Sequence, residues 1–106
     1  MWQKIRDFFF SSSSPHFKEL VDNGATLLDV RTKQEFDSAH IQNSIHIPLD
    51  QLEGRMKEIR KLQEPIVAYC RSGRRSGIAA RMMKAQGFEA YNGGGMNKLK
   101  RKLGIS

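Results

Sequence analysis

Apolar residues recur along the chain first at helical spacing and then in short continuous runs, as expected of helices that alternate with strands. A first helix is predicted at Ser14-Pro15, with the serine as its cap and the proline at its first position, and Gly24 is typical of its end. The short apolar runs predict four strands, over residues 26–30, 45–47, 66–69 and 88–91.

Two further helices are predicted before and after the third strand. Asp50 and Glu53 resemble a capping box, and the apolar spacing after them predicts a helix up to the break at Glu64-Pro65. A second apolar stripe begins at Ile78 and predicts a helix that ends at Gly87.

The C-terminal part is predicted to hold a turn and a last helix. Asn92-Gly93-Gly94-Gly95 indicates the turn, and Met96, Leu99 and Leu103 share one helical face after it. Strands separated by helices of this length favour right-handed crossovers. The predicted fold class is therefore α/β with a mainly parallel sheet.

The length of 106 residues suits one small domain. We expect this domain over residues 14–106 and an arm over residues 1–13. The arm has charges at Lys4, Arg6 and Asp7, so it lacks the apolar core of a signal peptide, and no segment reaches the ~20 apolar residues of a membrane span. A single cysteine forms no internal disulfide, which favours a reducing cytoplasm.

The net charge of +7 raises nucleic-acid binding as a function class. The basic run from Lys98 to Lys102 has no interleaved aromatic residue, and no motif for base recognition is present. A solvated basic helix is the preferred interpretation, and a nucleic-acid partner is not expected.

Cys70 is the residue that most strongly suggests chemistry. It ends an apolar strand and precedes a basic loop with a glycine, before a helix begins. Amides that converge at a helix start bind anions, and both these amides and nearby arginines lower a thiol pKa from about 8.5. The competing interpretation is a small buried residue. The candidate anion-binding residues after the nucleophile are Arg71, Ser72, Gly73, Arg74, Arg75 and Ser76.

An ordered set of short motifs resembles the single-domain rhodaneses over nearly the whole chain. The resemblance implies a small α/β domain with a mainly parallel sheet flanked by helices on both faces. The motifs are Leu28-Asp29-Val30-Arg31, Glu35-Phe36, Ala39-His40-Ile41, Ile47-Pro48-Leu49, Cys70 through Ser76, and Gly93-Gly94-Gly95.

Resemblance to rhodaneses also implies the chemistry of Cys70. Its thiolate would accept a sulfane sulfur from thiosulfate or a similar donor as a persulfide, and would pass it to cyanide, a thiol or a protein acceptor. Since the cysteine carries the transferred atom, no metal or organic cofactor is expected.

Other matched residues are expected to be structural. Asp29 and Arg31 at a strand end favour a carboxylate–guanidinium bridge near the site, and Glu35 is a candidate partner for Arg31. His40 and His46 lie among apolar neighbours, which is typical of packing residues, and their spacing does not suggest a zinc site.

Two alternatives to sulfur transfer remain open from the sequence. A cysteine phosphatase or arsenate reductase also uses a cysteine loop, but Arg75 gives a C-x4-R spacing where cysteine phosphatases use C-x5-R. A non-catalytic protein-binding module is the other.

The arm is expected to pack on the domain or on a second copy of the chain, which would form a homodimer. Its large apolar side chains are Trp2, Phe8, Phe9 and Phe10.

Overall fold

The computed structural model describes residues 15–105, whose strands form one parallel sheet with helices on both faces. The strands are β1 (Thr26–Asp29), β2 (Ile45–His46), β3 (Ile66–Cys70) and β4 (Ala90–Gly95). They lie in the order β2-β1-β3-β4, and every pairing between neighbours is parallel. This confirms the predicted fold class.

Helices connect the strands and cover the sheet. The α-helices are α1 (Phe17–Asp22), α2 (Lys33–Ser38), α3 (Leu49–Leu52), α4 (Met56–Ile59), α5 (Arg74–Ala85) and α6 (Met96–Leu103). Helix α2 begins with a complete capping box between Thr32 and Glu35, which the sequence analysis did not predict. A short 3-10 helix (Glu53–Arg55) separates α3 from α4.

Successive side chains of β3 point to opposite faces of the sheet, so this fully buried strand contributes to two apolar cores. One core contains Ile66, Ala68 and Cys70 and is covered by α3, α4 and α5. The other contains Val67 and Tyr69 and is covered by α1 and α6. Cys70 is thus fixed at the end of the strand with the most extensive packing.

The helices at residues 14–24 and 50–62 differ from their predictions. The first begins at Phe17 with His16 as its cap residue, and Pro15 lies before it. The other is divided into α3, the 3-10 helix and α4, and no side chain caps its start after Pro48. Gly54 lies in the 3-10 segment, where its low helix propensity favours the interruption. The predicted capping role of Asp50 and Glu53 is wrong.

The predicted turn at Asn92-Gly93-Gly94-Gly95 is also wrong, because these residues belong to β4. Ala68 pairs with Asn92 and Tyr69 pairs with Gly94, so Gly93 forms a bulge in the ladder. The strand pairing overrides the turn propensity of these residues. The predicted last helix is confirmed as α6.

The predicted arm over residues 1–13 lies outside the described residues, as do its expected contacts through Trp2, Phe8, Phe9 and Phe10. Ser14, the predicted cap, lies outside them as well. Between Pro15 and Ile105, every helix is too short or too polar to cross a membrane.

Candidate active site

Cys70 lies at the carboxyl end of β3, where parallel α/β sheets commonly bind ligands. The chain then turns through residues 71–73 and enters α5 at Arg74. Gly73 makes this turn with a φ of 98°, a left-handed conformation that favours glycine. We call residues 71–76 the Cys70 loop.

The Cys70 loop directs hydrogen-bond donors at the sulfur. The backbone N–H of Gly73 donates to Cys70 Sγ over 3.0 Å, and that of Ser76 donates over 3.4 Å. Burial raises the pKa of the Cys70 thiol, but hydrogen bonds that stabilise the ionised sulfur outweigh it, so the pKa lies below its ordinary value. The thiolate receives these bonds from the Ser76 hydroxyl and from the amides of Ser76, Gly73 and Ser72. The loop is therefore arranged to favour a thiolate.

Asn92 on β4 connects the strand to the Cys70 loop. Its Oδ1 accepts hydrogen bonds from the Ser76 hydroxyl over 2.7 Å and from Gly94 N–H over 2.9 Å. Its Nδ2 donates to the Gly73 carbonyl over 3.0 Å. The sequence analysis missed Asn92 as a site residue, and an amide side chain directly before a glycine run was the one available signal.

The glycines of β4 let the strand approach the Cys70 loop closely. A Cβ atom at Gly95 would lie 2.5 Å from the carbonyl oxygen of Arg71, a distance that would force the backbone apart. A Cβ atom at Gly93 would lie 2.8 Å from a methyl group of Val67. The glycine run therefore permits the backbone contact that supports the loop from one side.

The three arginines of the loop differ in their surroundings. Arg71 and Arg74 are exposed at the loop surface. Arg75 donates from both terminal nitrogens to Glu35, over 2.7 and 3.0 Å. This ion pair, with the Thr32 hydrogen bonds, lowers the pKa of Glu35 to about 2. The predicted pairing of Glu35 with Arg31 is wrong, because Glu35 reaches across to α5.

Asp29 and Arg31 form a buried ion pair beside the site. Arg31 Nη2 lies 2.8 Å from Asp29 Oδ2, and the two side chains are 7% and 0% exposed. Asp29 Oδ1 also accepts the backbone N–H of Arg31, while Arg31 donates to the Ala39 carbonyl. These bonds tie the ends of β1 and α2 together, and both charged groups are occupied by them.

Comparison with known proteins establishes the family of the chain. The Rhodanese-like domain family matches residues 13–102. The chain belongs to this family.

Several relatives of this rhodanese-like domain have names that concern sulfur. The chain is 48% identical over 75 residues to the Bacillus subtilis protein YrkF, for which the name proposes a sulfur-carrier role; the match covers 69% of this chain and 40% of YrkF. It is 38% identical over 69 residues to the thiosulfate sulfurtransferase GlpE of Pseudomonas syringae, covering 65% of this chain and 64% of GlpE. The chain thus spans less than two thirds of either protein.

Solved structures agree with the family. The reduced CoADR-RHD protein of Bacillus anthracis matches with a TM-score of 0.69 and 36% identity, over 80% of this chain and 15% of that protein. A rhodanese with anions from E. coli matches with a TM-score of 0.62 and 28% identity, over 69% of this chain and 88% of that one. These likenesses confirm the rhodanese fold.

The two histidines in the motifs of this rhodanese-like domain are engaged in packing. His40 and His46 stack on the two sides of Phe36, with ring centroids 3.7 and 4.4 Å from it. A ring nitrogen of each is 2.8 Å from a backbone carbonyl, of Phe36 for His40 and of Arg31 for His46. Within residues 15–105, no three histidine, cysteine or acidic side chains are grouped to hold a metal ion.

Proposed function

We propose that this rhodanese-like domain is a sulfurtransferase or sulfur carrier that takes a sulfane sulfur from thiosulfate, or a similar donor, onto Cys70. The observation that carries the proposal is the set of hydrogen bonds from the Cys70 loop to Sγ. A loop that lowers a thiol pKa supplies the reactive thiolate without a separate general base. The name of the relative GlpE supports the choice of thiosulfate as donor.

The proposed reaction has two steps at Cys70. The thiolate attacks the outer sulfur of thiosulfate, the sulfur–sulfur bond of the donor breaks, and sulfite leaves with the bonding pair. The anionic persulfide then gives its outer sulfur to a nucleophilic acceptor and the Cys70 thiolate returns. Cyanide would serve as acceptor in an assay and a thiol or a protein in the cell, with no metal or organic cofactor required.

The charges around the loop suit an anionic donor. Arg71 and Arg74 are exposed and attract thiosulfate, a dianion, to the mouth. Arg75 forms an ion pair with Glu35, so it holds α5 and α2 together as well as adding positive potential at the site. A cysteine that must remain a free thiol to react suits a reducing compartment such as the cytoplasm.

The geometry disfavours a cysteine phosphatase. The position that carries arginine in the C-x5-R spacing is Ser76 here, and Ser76 is fully buried with its hydroxyl 3.3 Å from Sγ. Arg75, one position earlier, is turned to Glu35. The loop therefore lacks an arginine at the place where those enzymes hold a phosphoryl group.

We expect measurable thiosulfate:cyanide sulfur transfer and no hydrolysis of p-nitrophenyl phosphate by the native protein. The shorter loop suits one sulfur atom and places no guanidinium for a phosphoryl group. Thiocyanate formation and p-nitrophenol release, each measured with the native protein and with Cys70→Ser, check this. Cys70-dependent phosphate hydrolysis at a rate equal to sulfur transfer would contradict the proposal.

A further inference from the structure

The Ser76 hydroxyl has two neighbours that compete for its one proton. Ser76 Oγ lies 2.7 Å from Asn92 Oδ1 and 3.3 Å from Cys70 Sγ. Ser76 is fully buried, so bulk water does not reach the hydroxyl, whereas Asn92 lies at the surface above it. The choice between the two neighbours therefore decides where the hydroxyl points.

The backbone fixes which end of the Asn92 amide faces Ser76. Oδ1 accepts from Gly94 N–H, and Nδ2 donates to the Gly73 carbonyl. A reversed amide would set a donor against the Gly94 N–H and an acceptor against the Gly73 carbonyl. Since a carbonyl oxygen cannot donate, the proton between Asn92 and Ser76 comes from Ser76.

This assignment links the hydroxyl to the charge on Cys70. With its proton directed at Asn92, Ser76 offers the sulfur only lone pairs, and the 3.3 Å contact is made by the thiol proton of Cys70. A thiolate has no proton to give and needs donors. Ser76 can become such a donor only by releasing Asn92.

We propose that Asn92 is a positioning residue that holds the Ser76 hydroxyl away from the Cys70 sulfur, and that the hydroxyl turns to the sulfur when the thiolate forms. Asn92 thereby opposes ionisation of the free cysteine. Once Cys70 carries a second sulfur, the negative charge lies on the outer atom and the hydroxyl can return to Asn92. The inference rests on Cys70 being the nucleophile of the proposed function.

The local backbone is shaped around this amide. The bulge at Gly93 changes the direction of β4 directly after Asn92, as bulges near functional sites commonly do. A Cβ atom at Gly77 would lie 3.1 Å from Asn92 Nδ2, so the glycine leaves room for the amide. Glycine is otherwise unfavourable inside a helix such as α5.

Arg75 on α5 interacts electrostatically with Cys70. The other charged groups on the elements around the site are Arg74 at the start of α5, Arg71 before it, and the Asp29–Arg31 pair at the end of β1, while β4 (Ala90–Gly95) carries no formal charge. A comparison that leaves all of them unchanged isolates the contribution of Ser76 and Asn92.

The test is the shift in the Cys70 pKa caused by Ser76→Ala, measured in three backgrounds: native, Asn92→Leu and Asn92→Asp. Cys70 is the only cysteine, so the pH dependence of the rate of alkylation by iodoacetamide gives its pKa directly. Leucine matches the size of asparagine and offers no acceptor, whereas aspartate is a stronger acceptor for the hydroxyl. The pKa of each background protein is subtracted from the pKa of the same protein with Ser76→Ala. Any effect on the pKa that the Asn92 substitution has by itself, such as a loosened loop, is thereby removed from the comparison.

We expect Ser76→Ala to raise the pKa by about one unit more in the Asn92→Leu background than in the native protein, because the hydroxyl there donates to the thiolate without competition. In the Asn92→Asp background the shift should be smaller than in the native protein. Equal shifts in all three backgrounds would overturn the proposal.

Two features of this design keep the outcome interpretable. If Asn92→Leu does not fold, the comparison between the native and Asn92→Asp backgrounds still decides, since equal shifts there refute the competition. Alkylation does not involve sulfur transfer. Unequal pKa shifts in a protein that never forms a persulfide would therefore sustain the role of Asn92 and refute the proposed function. Equal pKa shifts in an active enzyme would refute the role of Asn92 and sustain the proposed function.

Discussion

Replacing Cys70 with serine should reduce thiosulfate:cyanide sulfur transfer to the uncatalysed background, a loss of at least about 10³-fold. A serine hydroxyl at this position receives the same loop amides, but it stays protonated near neutral pH and does not form a persulfide. The measurement is the rate of thiocyanate formation by the two proteins at equal concentration.

The fold of Cys70→Ser serves as the control for this result. Serine differs from cysteine by one atom and can accept the Gly73 and Ser76 N–H groups that now point at Sγ. The melting temperature should therefore stay within a few degrees of the native value. Retention of a substantial part of the sulfur-transfer activity by a folded Cys70→Ser protein would remove Cys70 from the reaction.

Replacing Asp29 with alanine should lower the free energy of unfolding by about 3–5 kcal/mol. The substitution leaves the Arg31 guanidinium with 7% exposure and without its carboxylate, and it removes the acceptor of the Arg31 backbone N–H. A loss of this size is a large part of the stability of a small domain. Denaturant unfolding of native and variant proteins measures it.

Asp22→Ala is the matched control for Asp29→Ala. This substitution also removes an ion pair, in which Asp22 lies 2.9 Å from Lys18, but the side chains of Asp22 and Lys18 are 61% and 59% exposed. Exposed pairs contribute about 0–1 kcal/mol, so this variant should unfold near the native midpoint. Equal losses for Asp29→Ala and Asp22→Ala would show that burial of the Asp29–Arg31 pair does not determine its importance.

Local patterns predicted the strand that carries the candidate nucleophile and the last helix of the chain. The apolar run before Cys70 corresponds to β3, and the stripe of Met96, Leu99 and Leu103 corresponds to α6. In both segments the choice of structure depends on the spacing of neighbouring side chains along the chain. The arginine-rich loop was also predictable, because its residues directly follow the cysteine in the sequence.

Contacts between distant segments were not predictable from such patterns. Glu35 and Arg75 are 40 positions apart, and nothing near either residue indicates which of several arginines the carboxylate would meet. The Asn92 contacts depend on the placement of β4 against the Cys70 loop. Glycine and asparagine have strong turn propensity, but pairing with β3 gives this segment its hydrogen bonds as a strand.

Persulfide formation at Cys70 is the central claim, and intact-mass spectrometry of the native protein after incubation with thiosulfate tests it most directly. We expect a gain of about 32 Da that dithiothreitol removes and that Cys70→Ser does not acquire. Reversal by the reductant separates the added sulfur from two added oxygens, which have nearly the same mass but remain on a sulfinic acid or on methionine. No reversible gain on the folded native protein, or the same gain on Cys70→Ser, would contradict the account.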